Sequence, residues 1–222
     1  MKVKGPVALV TDFDGTASID DFFWYAINEY LKDSDMKPWH DYIDGKIRHV
    51  QALSRIFEKI HVKTEDFHDF IDRFPIEEKF IDTAKLCKQK GIKLFIVSAG
   101  ADYYIKRILN ENIEKYNINL ISNPSTYTPE IGLKFIDHDK DYIYYDENLG
   151  VSKAKVIKGL KDNGYYCIFA GDGKPDFDAC VYADKIFARK TLLEMCQAEG
   201  IKTENFNSYN DIYSFIKNLE IE

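Results

Sequence analysis

Two aspartates, Asp12 and Asp14, sit in the stretch VTDFDGTAS at residues 10–18, directly after the apolar run 7–10. Carboxylates are among the groups least willing to leave water, so a strand that ends in two of them needs a chemical reason. In an extended backbone alternate side chains share a face, which points both acids one way and Phe13 the other. Gly15 permits the sharp exit that follows. Comparable apolar runs end in Ser98-Ala99-Gly100 and in Gly171-Asp172-Gly173-Lys174-Pro175-Asp176, and Lys153 opens a helix-like stretch just upstream of the latter. Asp172 beside the first pair makes a cluster of acids that repel one another unless a cation sits among them. Hard oxygen ligands favour Mg²⁺, which keeps waters and binds beside phosphate. With the cation and Lys153 screening an incoming phosphate, one Asp can attack phosphorus as a covalent nucleophile. The other can serve as general acid to the leaving group and then as base for water.

Such residues work only if the fold gathers them. Short runs rich in Val, Ile and aromatics, at 7–12, 93–99, 165–172 and 185–189, read as strands buried on both faces. Helix-like stretches at 77–90, 101–111 and 152–162 separate them, with Ile105, Ile108 and Leu109, then Val156, Ile157 and Leu160, at helical spacing. Strand–helix alternation predicts an α/β protein with a Rossmann-like three-layer core and a parallel sheet, whose ligands bind at the carboxyl ends of the strands. Residues 19–76 break the alternation with three or four amphipathic helices. They are expected to form a helical cap domain, leaving 1–18 and 77–222 as the core domain. Residues 133–147 alternate loosely and suggest a hairpin, and the terminal NLEIE suggests a frayed acidic end.

The motifs DxDGT, a strand-end Ser, a helix-start Lys and GDxxxD, in this order, resemble the haloacid dehalogenase superfamily of phosphohydrolases, and the insertion after the first motif resembles that superfamily's first-position (C1) cap. The resemblance implies that Asp12 is the nucleophile that forms an aspartyl-phosphate and Asp14 the acid/base. It implies Mg²⁺ held by the Asp12 carboxylate, the Asp14 carbonyl and Asp172, with Asp176 completing the metal site by orienting a metal-bound water or Lys153. Ser98, Ala99 and Gly100 would hold phosphate oxygens, with Thr16 beside them, and Lys153 would neutralise charge on Asp12 and the phosphoryl group; Lys174, inside the loop of the fourth motif, reads equally as a phosphate or substrate contact and as a solvent-exposed residue. Phosphoryl transfer suits such a site, since positioning and charge stabilisation supply most of the rate. Two branches with this cap are similar. In the phosphoserine phosphatase branch a Glu and an Arg hold the amino-acid end; here Asp21 stands at the first position and Ser54 at the second, with Arg55 one residue off. The methionine-salvage 2-hydroxy-3-keto-5-methylthiopentenyl-1-phosphate phosphatase branch is more similar, above all over GDGKPDFDACVYADKIFARKTLLEMCQAEGI and around SKAKVIKGL.

Composition bounds the alternatives. With 30 basic and 37 acidic residues the 222-residue chain carries a formal charge of −7, which argues against nucleic-acid or anionic-membrane partners and leaves room for one small phosphorylated metabolite. No apolar run approaches the ~20 residues of a membrane span, and no secretory leader is evident, so a cytoplasmic monomer or homodimer is expected. Cys87, Cys167, Cys180 and Cys196 form no CxxC pair and read as reduced, mostly buried thiols. His40, His49, His61 and His68 lack metal-ligand spacing, and Tyr103-Tyr104 read as packing or rim residues. Asp20 and Asp21 read as N-caps of the first cap helix. Of the aromatics Phe22, Phe23, Trp24, Tyr25, Trp39, Tyr42 and Phe57, most are expected in the cap's own core and a few on the pocket wall. Arg48 and Arg55 read as solvated helix-face residues within reach of a substrate carboxylate. A phosphotransferase or mutase using the same aspartyl-phosphate, or a non-catalytic regulator on the same fold, are the alternatives to hydrolysis.

Overall fold

A strand as apolar as VALVT persists only where both of its faces are covered. In the computed structural model, which describes all 222 residues, that strand lies at the middle of a sheet and every one of its residues is buried. The strands are β1 (Lys2–Val3), β2 (Val7–Thr11), β3 (Lys93–Ala101), β4 (Ile118–Asn123), β5 (Ser125–Thr128), β6 (Gly132–Phe135), β7 (Tyr145–Asp146), β8 (Gly150–Val151), β9 (Tyr166–Gly171), β10 (Lys185–Ala188), β11 (Glu204–Asn205) and β12 (Glu220–Ile221). The helices are α1 (Phe22–Tyr30), α2 (Lys37–Ile43), α3 (His49–Phe57), α4 (Thr64–Asp72), α5 (Phe80–Lys90), α6 (Asp102–Leu109), α7 (Asn112–Lys115), α8 (Lys153–Asp162), α9 (Phe177–Cys180), α10 (Lys190–Ala198) and α11 (Tyr209–Asn218). Six strands form one parallel sheet in the order β11-β10-β9-β2-β3-β4. The chain leaves β2 toward β3 on one side and later returns to β9 on the other, so the switch point lies at the carboxyl end of β2, where ligands of open α/β sheets bind.

Alternation along the strands splits the interior in two. Val7, Leu9, Ile168 and Ala170 face a large cluster with Ala84, Cys87, Ile212 and Ile216 of α5 and α11. Val10, Cys167 and Phe169 face a smaller one with Val156, Ile157, Leu192 and Cys196 of α8 and α10. This is the three-layer α/β architecture expected. All four cysteines are buried and unpaired, and no helix is long and apolar enough to cross a membrane.

Helices α1 to α4 occupy the insertion. Its two crossings run side by side: Ser18 bridges to Ile76, and the Glu77 N–H donates to the Ala17 carbonyl at 3.0 Å. The large cluster continues unbroken into these helices, where Phe22 stacks on Tyr104 of α6 with centroids 3.9 Å apart and meets Phe57, Phe70 and Phe74. Asp21 caps α1 by accepting from the Phe23 N–H at 2.8 Å. Asp20 caps nothing; only its carbonyl is used, by Gly15 and Ser18.

Two expectations need correction. The hairpin is β5–β6, not 133–147. Its tight turn needs Gly132, at φ +70, whose missing side chain lets the turn approach the Glu58 backbone of the insertion. Residues 136–144 form no strand, because the only pairing nearby is the two-residue β7–β8. The C-terminus is not frayed: β12 pairs in parallel with β1, and Lys2 lies near Glu220 and Glu222. The sheet also gains β4, a strand that the apolar runs of the sequence do not announce.

Candidate active site

The loop after β2 is the first component. Phe13–Ala17 forms one wide helical turn kinked at Asp14 and at Gly15, where φ is +68. A Cβ on Gly15 would collide with the Asp172 carboxylate, so only glycine fits. Arg189, just past β10, clamps the turn. Its Nε and Nη2 donate to the Gly15 carbonyl at 2.9 and 2.6 Å, and its Nη1 pairs with Glu77 at 2.8 Å.

Asp12 emerges at the carboxyl end of β2, its N–H donating to the Ala170 carbonyl at 2.9 Å. Lys153, the first residue of α8 behind the N-cap Ser152, reaches Asp12 at 2.7 Å and also pairs with Asp176. Asp176 is 1 % exposed, and its second oxygen accepts from the N–H groups of Asp172 and Gly173, both at 2.9 Å. That carboxylate thus holds both the GDxxxD loop and Lys153 in place. Burial pushes the Lys153 ammonium down, but Asp12 and Asp176 outweigh it and the group is held above its ordinary range. Burial, then Asp176, pushes the Asp12 carboxyl up against the pull of Lys153. Asp172 is pushed up to about 6 by burial and Asp176; Thr16 Oγ1 donates to it at 3.4 Å and Lys190 Nζ at 2.9 Å. Lys190 makes that contact from a left-handed backbone, φ +50.

One carboxylate oxygen each from Asp12, Asp172 and Asp176 lie within 4.8 Å of one another. The Asp12 and Asp172 carboxyls are held above their usual range by burial and by neighbouring carboxylates, the condition that a bound divalent cation relieves. The residues present fit such an ion. The Asp176 oxygens share three donors, Lys153 and two N–H groups, whereas each Asp172 oxygen has one, from Thr16 or Lys190, and Asp12 is paired through one oxygen, so Asp12 and Asp172 carry the larger free capacity.

Asp14 turns away from this cluster. Its Oδ1 accepts from the Phe22 N–H at 3.1 Å, and its Oδ2 accepts from Tyr104 Oη at 2.5 Å and Ser98 Oγ at 3.3 Å. Burial, then the nearby Asp21, pushes its carboxyl up to about 7. Beyond Val97 the β3 register shifts, which takes 98–100 out of the ladder; Ser98 Oγ accepts from the Gly100 N–H at 2.9 Å. A Cβ on Gly100 would collide with Tyr104 Oη.

These groups line a cleft of about 170 Å³ between the sheet and the insertion. Asp12, Asp14, Ser98, Ala99, Gly100, Lys153, Asp172 and Asp176 all border it. Thr16 is buried behind Asp172, and Lys174 is exposed and outside the lining. From the insertion come Phe23, Trp24, Trp39, Leu53 and Phe57, with Asp21 and His49. Arg48 points instead to Tyr145 and the Glu147 carbonyl, and Arg55 is exposed on a separate groove with Glu58 and Asp137. Residue types and spacing alone give no part in the site to Tyr104, Arg189, Lys190 or His49. Tyr104 does carry a signal, because it follows Gly100 by four residues at the start of a helix; the other three carry none.

No family model matches the chain. Pdp3-interacting factor 1 of Schizosaccharomyces pombe is 23 % identical over 233 residues, covering 99 % of this chain and 98 % of that protein. The 2-hydroxy-3-keto-5-methylthiopentenyl-1-phosphate phosphatase of Exiguobacterium sibiricum is 25 % identical over 218 residues, covering 97 % and 98 %. Among solved structures, a substrate-bound phosphoserine phosphatase superposes with a TM-score of 0.67 at 18 % identity, covering 96 % of this chain and 99 % of that one. A phosphoserine phosphatase carrying a phospho-aspartyl intermediate analogue gives 0.65 at 19 % identity, covering 95 % and 98 %. Along almost its whole length the chain shares the fold of these phosphoserine phosphatases and is similar in sequence to the 2-hydroxy-3-keto-5-methylthiopentenyl-1-phosphate phosphatases, and its four motifs meet in one cleft.

Proposed function

We propose that this protein is a phosphoric monoester hydrolase that cleaves a small phosphorylated metabolite through an aspartyl-phosphate on Asp12, with Mg²⁺ as cofactor. The observation that carries the reading is the division of labour between two acids two residues apart. Asp12 sits in a charged cluster with Lys153, while Asp14 pairs with no cation and is held by Tyr104, Ser98 and the Phe22 N–H. The full-length similarity to named phosphatases supports it.

The Asp12 carboxylate attacks phosphorus as the bond to the leaving oxygen breaks. Asp14, whose carboxyl titrates at about 7, donates its proton to that oxygen. The same group, now a carboxylate, takes a proton from a water that attacks the aspartyl-phosphate, which releases inorganic phosphate and restores Asp12. In this reading Ser98 Oγ and the Gly100 N–H, which bond to Asp14 and to Ser98 in the free protein, turn to phosphoryl oxygens when substrate binds. Lys153 holds positive charge beside Asp12 throughout, and Asp176 holds Lys153. Asp12, Asp172 and the Asp14 carbonyl would hold Mg²⁺, which neutralises developing charge on the phosphoryl oxygens when bound. The insertion serves as a cap domain over this floor and excludes water from it.

Purified protein with Mg²⁺ should release 4-nitrophenolate from 4-nitrophenyl phosphate, EDTA should stop the release, and Asp12→Asn should abolish it. Release that survives Asp12→Asn rules out the assigned nucleophile.

A further inference from the structure

The polar groups on the floor of the cleft all have partners within the protein; the wall that the cap supplies contains one that does not. Three buried side-chain atoms lack a hydrogen-bond partner: His49 Nδ1, Ser122 Oγ and Tyr209 Oη. Of these residues only His49 borders the cleft. A buried polar atom left unpaired costs about 1–3 kcal/mol, so its presence in a cleft calls for an external partner. The ring is held in place without using its nitrogens. The His49 backbone N–H donates to Asn148 Oδ1 at 2.9 Å, and the imidazole meets Tyr42 and Trp39 edge-on with centroids 5.1 and 5.9 Å away.

We propose that His49 is a specificity residue that hydrogen-bonds an uncharged oxygen, a hydroxyl or a carbonyl, on the leaving group of a small phosphomonoester. This rests on the phosphatase reading above and deepens it. Burial, with a smaller contribution from Lys153, holds the ring neutral by pulling it down to about 4. A neutral imidazole offers one donor and one acceptor, which suits either kind of oxygen. A carboxylate on the leaving group would find no unpaired counter-ion: Arg48 and Arg55 are turned elsewhere, Lys153 is taken by Asp12 and Asp176 and Lys190 by Asp172, and Asp14 and Asp21 would repel it. Around His49 the wall carries Phe23, Trp24, Trp39, Leu53 and Phe57, which suits an apolar body beside that one oxygen.

The test compares kcat/KM for phenyl phosphate, its 2-, 3- and 4-hydroxy derivatives and 3-carboxyphenyl phosphate, on the wild type and on His49→Phe. Intrinsic differences among the leaving groups cancel, because the same esters are compared on both proteins. In the wild type at least one hydroxyphenyl ester should exceed phenyl phosphate about tenfold, the effect of one neutral hydrogen bond, and the carboxyphenyl ester should fall below it. In His49→Phe that hydroxyl advantage should collapse to about one, and His49→Gln, which keeps a donor and an acceptor, should restore part of it. A wild type that shows no hydroxyl advantage overturns the inference, and so does an advantage that survives His49→Phe. If the wild type hydrolyses none of the five, the phosphatase reading falls and takes the inference with it.

Discussion

On the floor of the cleft each polar group answers to another: Lys153 to Asp12 and Asp176, Asp176 to two backbone N–H groups, Asp14 to Tyr104, Ser98 and Phe22. On the wall from the insertion, aromatic side chains meet one another and His49 Nδ1 meets no hydrogen-bonding partner. The floor is wired in advance, as electrostatic stabilisation of a transition state requires. The wall leaves the buried His49 Nδ1 open, as the proposed selection of a leaving group requires. On the proposed reading, chemistry and choice of substrate fall to different segments of the chain, and it should be possible to disturb each without the other.

The largest effect should come from the floor. Asp14→Asn removes the proton donor while leaving an amide that can still accept from Phe22, and with an alkyl phosphate it should lower kcat by roughly 10²–10⁴. With 4-nitrophenyl phosphate, whose leaving group needs no proton, the first step is spared and dephosphorylation becomes slow. Stopped-flow mixing should then show a burst of 4-nitrophenolate followed by slow turnover. Equal losses on both esters without a burst would take the acid/base role away from Asp14.

Next comes the clamp that holds the floor's first loop. Arg189→Ala frees the Gly15 carbonyl and leaves the buried Glu77 without its partner. Breaking a buried pair on one side costs about 3–5 kcal/mol, which urea denaturation would read. Arg189→Lys should recover little, because one ammonium cannot span both Gly15 and Glu77 as the planar fork does. A lysine variant as stable as the wild type would mean that the turn holds its own shape.

The two regions should also respond to pH with opposite signs. Asp12, Asp14 and Asp172 have folded-state carboxyls raised above the ordinary 3.8, Asp172 to about 6 and Asp14 to about 7. The stability that they contribute is present below pH 4 and is lost as pH rises toward 7. His49 is depressed from 6.5 to about 4, so its contribution is present above pH 6.5 and is lost as pH falls toward 4. Between pH 7 and pH 5 the stability of the wild type relative to His49→Phe should fall on the order of 2 kcal/mol. Mg²⁺ should raise the wild type's Tm at pH 7, where the floor acids repel one another most. A difference between wild type and variant that does not move with pH would show that the ring is not held neutral by burial.

The same division decides what can be read from the sequence. The floor is written in short spacings, DxDGT and GDxxxD at the ends of strands whose apolar runs are unmistakable, so its members are legible in the order of residues alone. The wall depends on contacts that sequence spacing does not encode. His49 is positioned by Asn148, 99 residues away, and Arg189 reaches Gly15 across 174. Local patterns mislead where tertiary packing decides the outcome. In Ile118–Asn123 the asparagines at 119 and 123 obscure a buried strand, yet the segment pairs beside β3. The tyrosines at 142, 144 and 145 look strand-like, but Tyr142 stacks on His138 and packs with Tyr144 against the small cluster instead of entering a sheet.

Lys174 marks where the floor ends, and it should give the smallest effect. It lies inside the GDxxxD motif, two residues from Asp172 and from Asp176, which makes it a candidate for phosphate contact. In the fold its neighbours Gly173 and Pro175 border the cleft while its own side chain is exposed to solvent. A charge in water acts on the site only through a screened field, with a Debye length of about 8 Å at physiological ionic strength. Lys174→Ala should therefore change kcat/KM by less than about twofold and stability by about 0.5 kcal/mol or less. A tenfold loss, relieved by raising neither salt nor substrate, would mean that the loop closes over bound phosphate and that the wired floor extends one residue further than its free geometry shows.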